Sequence, residues 1–254
     1  MPSLNQLLAA HPVVLLLDSA SARVQAALWP GLGAPPLWRT CDDEAGTGLF
    51  ACAGELLATG GLSVADINAF IFCEGPGSVL GVRSSAMALR VWGVLSPAPI
   101  YAYQSLALVA SALGEPAANI IADARRDSWH VARAGVPLRR MATADLPDAL
   151  VMPEHFRHWT PLPAQVRRTP YDLAALLPRA GDADLFRPVS APDAFLHEEP
   201  DYATWTPQVH QRPESGRQRE EVRGQTSDVR GRRAEENTPN QGRGKSAPIP
   251  APGP

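Results

Sequence analysis

The chain has 254 residues, 45% of them hydrophobic, with a formal net charge of −3. That is enough for one large or two small domains with a real core. From Gln211 onward the segment holds nine of the 23 basic and six of the 26 acidic residues and no aromatic. Such a segment buries too little apolar area to offset chain entropy, so residues 211–254 are expected to be a disordered, solubilising tail. The remaining body carries a net −6 and lacks the cationic bias of a strong autonomous nucleic-acid binder. Cys41, Cys52 and Cys73 are odd in number and form no CxxC pair, which fits a reducing cytoplasm rather than a disulfide framework or zinc knuckle.

In chain order, Pro12 to Leu17 reads as a first buried strand ending in Asp18-Ser19. It is too short to span a bilayer and has no basic leader, so no membrane role is expected. Arg23 to Trp29 reads as its antiparallel neighbour. Glu44 to Thr59 reads as a helix with Leu49, Cys52, Ala53, Leu56 and Leu57 on one side, stopped by Gly60-Gly61. Ser63 caps a short turn into an apolar strand, Phe70 to Cys73. The turn Gly75-Pro76-Gly77-Ser78 follows. Its glycines allow positive φ around a proline of fixed φ, and Ser78 is placed to cap a helix running to about Leu95. The free amides at that helix start could hold a phosphate or carboxylate. The spacing misses GxGxxG, and no Gly-Lys-Ser/Thr of a P-loop follows.

Beyond it, Pro99 to Tyr103 reads as a strand, Ser105 as the cap of a helix through Leu113, and Asn119 to Ala122 as a strand ending at Asp123. Trp129 to Ala134 is expected to pair back as a hairpin. From Val136 the pattern thins. The one clear helix there is Tyr171 to Leu177, with Thr169 as cap and Pro170 at its first position. Alternating strands and helices argue for α/β layers with a mixed sheet. Strand, acid and hairpin recur at LLLDSAS and IIADARRDSWHVA, as expected if a reduced second half repeats the first.

The segment EGPGSVLGVRSSAMAL resembles the GPGSFTGVRIG stretch of the TsaB (YeaZ) family of tRNA threonylcarbamoyladenosine biosynthesis subunits. LLLDSAS, GGLSVADINAFIFCEGPGS and IIADARRDSWHVA resemble its other blocks in order and spacing, over roughly residues 13 to 135, and PDYATWTPQVH weakly resembles its closing segment. The resemblance implies an actin-like, sugar-kinase-type (ASKHA) fold with two related subdomains. Residues 1–118 would be the first, carrying the turn and partner helices, and 119–210 the smaller second. It implies a cytoplasmic, non-catalytic subunit of a heterodimer with a TsaD-type catalytic partner. A TsaE-type ATPase would join them, and tRNA would be met indirectly through the complex. Threonylcarbamoyl transfer would be to the adenosine beside the anticodon of tRNAs reading codons that begin with A.

On that reading the partner interface lies on the two helices, at Leu49, Ala53, Leu56, Leu57, Val82, Ser85, Ala86, Leu89 and Gly93, with homodimerisation through the same helices as a competitor. Contacts to nucleotide or phosphate would come from Asp18, Ser19, Gly75, Gly77, Ser78, Arg83 and Asp123, with ATP or ADP at the partner interface and no cofactor of the chain's own. The bland alternative is that the small residues pack on their own sheet and Asp18 only holds a hairpin turn. No catalytic constellation is visible, and His155 and His158, three apart in a Pro-flanked stretch, do not form the partner's HxxxH metal pair. The Glu-His-Ser of the family's first interface helix is replaced by Glu44-Ala45-Gly46, its Phe-Thr by Val79-Leu80 and its Ile-Gly by Ser84-Ser85. An independent ATP-dependent phosphotransferase of the same fold is the alternative function. A peptidase-like activity would need a nucleophile with a base or a metal site, and neither is present in the pattern.

Overall fold

The structure, a computed structural model, describes residues 1–195. The expected tail from residue 211 and the PDYATWTPQVH segment lie outside the described residues, and the compact unit considered below is Met1–Asp201.

Two mixed sheets carry the fold. The first is built from β1 (Val14–Asp18), β2 (Val24–Trp29), β3 (Leu37–Cys41), β4 (Ala69–Gly75), β5 (Ile100–Gln104) and β11 (Arg187–Val189), in the order β11-β5-β4-β1-β2-β3. The second orders β10 (Arg167–Thr169), β9 (Leu150–Pro153), β6 (Asn119–Asp123), β7 (Ser128–Arg133) and β8 (Val136–Ala142) as β10-β9-β6-β7-β8. In each, a central strand has an antiparallel meander on one side and parallel strands on the other: β1 pairs antiparallel with β2 and parallel with β4, and β6 does the same with β7 and β9. The repeat seen in LLLDSAS and IIADARRDSWHVA is therefore a repeat of topology, and Asp18 and Asp123 end equivalent strands. β11 departs from strict halves by returning to the edge of the first sheet beside β5.

The helices are α1 (Leu4–Ala10), α2 (Ala45–Gly60), α3 (Val79–Leu95), α4 (Ser105–Leu113) and α5 (Leu173–Arg179). Helices α2 and α3 cover one face of the first sheet, where Leu49, Leu56 and Leu89 pack on Leu15, Leu17, Phe70 and Phe72. A larger core joins α1, α4 and α5 to the other face and to the second sheet, with Trp129 and Phe186 fully buried. Fully burying side chains of this size contributes roughly 1.5–3 kcal/mol each, which makes this layer the main source of cohesion between the sheets.

Some local expectations change. Helix α1 is opened by a capping box in which Ser3 and Gln6 bond reciprocally. Ser105 is the first residue of α4 rather than its cap: its hydroxyl donates to the Pro76 carbonyl at 2.6 Å, and Gln104 holds the cap position. Helix α5 begins two residues later than expected. Asp172 caps it by accepting from the Ala174 amide, while Thr169 belongs to β10 and Tyr171 turns into the core. The thin stretch after Val136 holds four short strands whose side chains do not alternate cleanly, because β8 and β10 are largely exposed edges. Gly61 ends α2 at φ +64, as its place after the helix predicts. The Ser63 cap is also observed.

Candidate functional site: a two-walled cleft and an apolar helix face

Strand β4 ends in the glycine turn, which the chain passes with Gly75 at φ +103, a cis Gly75-Pro76 bond and Gly77 at φ +153. The turn is stitched down on several sides. The Ser78 amide donates to the Ala20 carbonyl at 2.7 Å, the Ser19 hydroxyl donates to the Gly81 carbonyl at 2.7 Å, and the Ser78 hydroxyl caps the Gly81 amide. A Cβ on Gly77 would overlap the Ala20 carbonyl oxygen, and one on Gly81 that of Ser19. Glycine is thus required at both places by close backbone approach. Val79 and Leu80, the first residues of α3, present amides that have no partner within the helix.

These bonds sort the expected phosphate contacts. Gly75, Gly77, Ser78, Arg83 and Asp123 line a cleft of about 480 Å³. Asp18 and Ser19 do not. The Asp18 carboxylate is fully buried and accepts from the Tyr103 and Tyr171 hydroxyls at 2.5 and 2.6 Å and from the Ala20 amide at 2.9 Å. Desolvation raises its pKa above the ordinary value, against the lowering effect of the tyrosine and amide donors. Ser19 faces inward to Ser85, their hydroxyls 2.6 Å apart. The acid ending the first strand therefore serves the core, tying β1 to β5 and to the start of α5. Nothing in the sequence marks Tyr103 and Tyr171 as partners of an acid 85 and 153 positions away.

Asp123 lies at the cleft but is also committed. Its carboxylate accepts from the backbone amides of Arg125, Trp159 and Thr160, pinning the 159–160 loop beside β6. Partial burial acts to raise its pKa, but those amides outweigh it and hold the carboxyl below the usual range. Glu74, buried at the head of the turn, is bonded by Arg187 at 2.6 Å. Arg125, Arg157 and Trp159 form the wall facing the turn. The Arg125 guanidinium lies 3.1 Å from the centre of the Trp159 ring. His155 and His158 bring no third ligand near, and no cluster of metal-ligating side chains occurs among the described residues.

The second feature is the outer surface of α2 and α3. Leu49, Ala53, Leu56, Val82, Ser85, Ala86 and Leu89 are buried against their own sheet, Leu57 nearly so, and Gly93 is half-buried. The expected interface residues are therefore mostly the inward face, and a different set faces outward. Leu80 is 78% exposed, Met87 57%, Val91 56% and Val94 84%, at the i, i+7, i+11, i+14 spacing of one helix face. Phe50 of α2 is also exposed, at 51%, and packs edge-on against Trp92 of α3 at 5.9 Å, to one side of that strip. The signal was present: between Val79 and Leu95 the only charges are Arg83 and Arg90, so α3 is apolar almost all round, as helices covered on both sides are.

No protein-family model and no curated protein matches the chain. Solved structures do. YeaZ from Pseudomonas aeruginosa is matched at 19% identity with a TM-score of 0.51, over 67% of this chain and 88% of that one. An uncharacterized protein with similarity to peptidase YEAZ, from the same organism, is matched at 18% identity and a TM-score of 0.47, over 56% and 75% of the two chains. The likeness is one of fold. The chain is an α/β protein with the YeaZ-like arrangement of two mixed sheets, consistent with the actin-like, sugar-kinase-type class. No helix among the described residues is long and apolar enough to cross a membrane.

Proposed function

We propose that this chain is a non-catalytic scaffold subunit that docks a TsaD-type partner on the outer face of α2 and α3 and supports threonylcarbamoyl transfer to tRNA. The observation that carries the reading is the strip of Leu80, Met87, Val91 and Val94 left in water along one face of α3. Large contiguous apolar exposure of this kind marks interaction sites rather than free surface. The TsaB-like sequence blocks and the YeaZ-like fold are what favour a TsaD-type protein as that partner. On this reading a TsaE-type ATPase joins the pair, ATP or ADP is held on the partner's side of the joint interface, and tRNA is held chiefly by the complex.

The committed acids speak against the phosphotransferase alternative. A kinase of this fold needs a carboxylate free to orient metal and water, and Asp18 is closed off by two tyrosines while Asp123 is held by three amides. The test is copurification with a TsaD-type protein from the native cell, followed by nucleoside analysis of tRNA after depletion of this chain. Loss of the threonylcarbamoyl nucleoside is expected. An unchanged nucleoside level would remove the proposal.

A further inference from the structure

The cleft has two unlike walls. On one, α3 brings Arg83 near the helix start; on the other, the loop after β9 brings Arg157 and Trp159, with Arg125 from the β6–β7 turn. Among the described residues neither Arg83 nor Arg157 enters an ion pair, although both are exposed at the same cavity. Trp159 remains 58% exposed with Arg125 lying over one face of its ring, so the other face is available for stacking. Arginine fixed against tryptophan forms a flat cationic platform of the kind on which unstacked bases settle.

The carboxylates decide what sort of anion suits the cleft. A nucleoside di- or triphosphate ordinarily comes with a divalent cation held partly by protein carboxylates. Here Asp18 accepts from tyrosines, Asp123 from backbone amides and Glu74 from Arg187. A phosphodiester strand carries one charge per residue and asks for no such carboxylate. The arginines also come from three separate elements, a track along the cleft rather than a single cradle.

We propose that this cleft binds a single-stranded RNA segment, with backbone phosphates on Arg83 and Arg157 and a base stacked on the open face of Trp159. The strand thereby touches both sheets. Because the body as a whole is acidic, binding is weak and strongly salt-dependent. The inference does not require the docking reading above, because its test uses the chain alone.

The test is fluorescence anisotropy of the full 254-residue chain with a labelled single-stranded RNA of about ten nucleotides, at low and moderate salt, with ADP as competitor. Trp159→Ala is expected to weaken binding by about five-fold or more, with Trp159→Phe recovering much of the loss. Arg157→Ala and Arg83→Ala should each weaken binding and flatten the logarithmic salt slope by about 0.7. All three side chains are exposed, so circular dichroism and melting temperature should match the parent. Equal affinity in every variant would place the RNA on the Arg-rich segment after residue 211 and overturn the proposal. So would absence of binding at low salt, or ADP binding more tightly than the RNA and displacing it from the same variants.

Discussion

Removing one tyrosine hydroxyl from the Asp18 cluster should destabilise the protein by an amount that depends on pH. In Tyr171→Phe the buried carboxylate loses a donor now at 2.6 Å and keeps Tyr103, the Ala20 amide and the Cys73 thiol. Hydrogen bonds to a charged group contribute about 1.5–3 kcal/mol, so a cost of about 2 kcal/mol is expected where the pH is high enough to ionise Asp18. The sign of the pH dependence follows from desolvation, which raises the Asp18 pKa above the ordinary 3.8 despite its donors. A group raised in the folded state contributes its full stability below the unfolded value and loses it as pH rises through the folded one. Asp42, Asp66 and Asp123, whose values are lowered by Arg23, by Ser63 and by backbone amides respectively, act in the opposite direction and lose stability on acidification. The difference between the parent and Asp18→Asn isolates the first effect. Urea unfolding followed by tryptophan fluorescence between about pH 4 and 8 should show Asp18→Asn gaining on the parent as pH rises. The Tyr171→Phe deficit should shrink toward acid, where the carboxyl is protonated. A flat difference curve, with Tyr171→Phe costing under about 0.5 kcal/mol throughout, would refute the assignment of Asp18 to the core.

Gly81→Ala should lower the melting temperature markedly, by about 2 kcal/mol or more of stability, because the added methyl meets the Ser19 carbonyl rather than a movable side chain; an unchanged melt would contradict the close approach. Native alkylation at mildly alkaline pH, read by mass spectrometry, should label half-buried Cys41 ahead of the other two thiols. Burial and the neighbouring Cys41 push Cys52 up to about 12, and burial holds Cys73 well above its ordinary value. Modification of Cys73 at the rate of Cys41 would contradict that packing. Ala86→Arg should fail to fold, since Ala86 is enclosed beneath α3, whereas Met87→Arg, one position along, should fold normally; equal thermal stability of the two would show that the helix faces are misassigned.

Much of the architecture is legible in the amino-acid sequence, for physical reasons that differ by element. The buried strands β1, β4 and β6 are continuous apolar runs, and helices α2 and α3 have glycine or serine at their ends, so periodicity and caps agreed. β9, β10 and β11 have three or four residues each and hold through partners far away in sequence, which no local pattern carries. The glycine turn was legible because backbone geometry is written in residue type. The fate of Asp18 was not, because Tyr103 and Tyr171 reach it only after the two halves pack. The outer face of α3 is obscured in the sequence for a third reason. Small residues suggested close helix approach, but Ser85, Ala86 and Ala88 face the helix's own sheet, while the larger Met87, Val91 and Val94 face water.

The central claim is that α2 and α3 dock a catalytic partner, and Val91→Glu is its sharpest probe. The side chain is exposed, so the chain should fold unchanged, yet a carboxylate placed in a closed apolar contact costs several kcal/mol. Calorimetric titration of a purified TsaD-type partner should give a one-to-one complex with the parent and an affinity about a hundred-fold weaker with Val91→Glu. Equal affinity for both proteins, or no complex with the parent, would contradict the account.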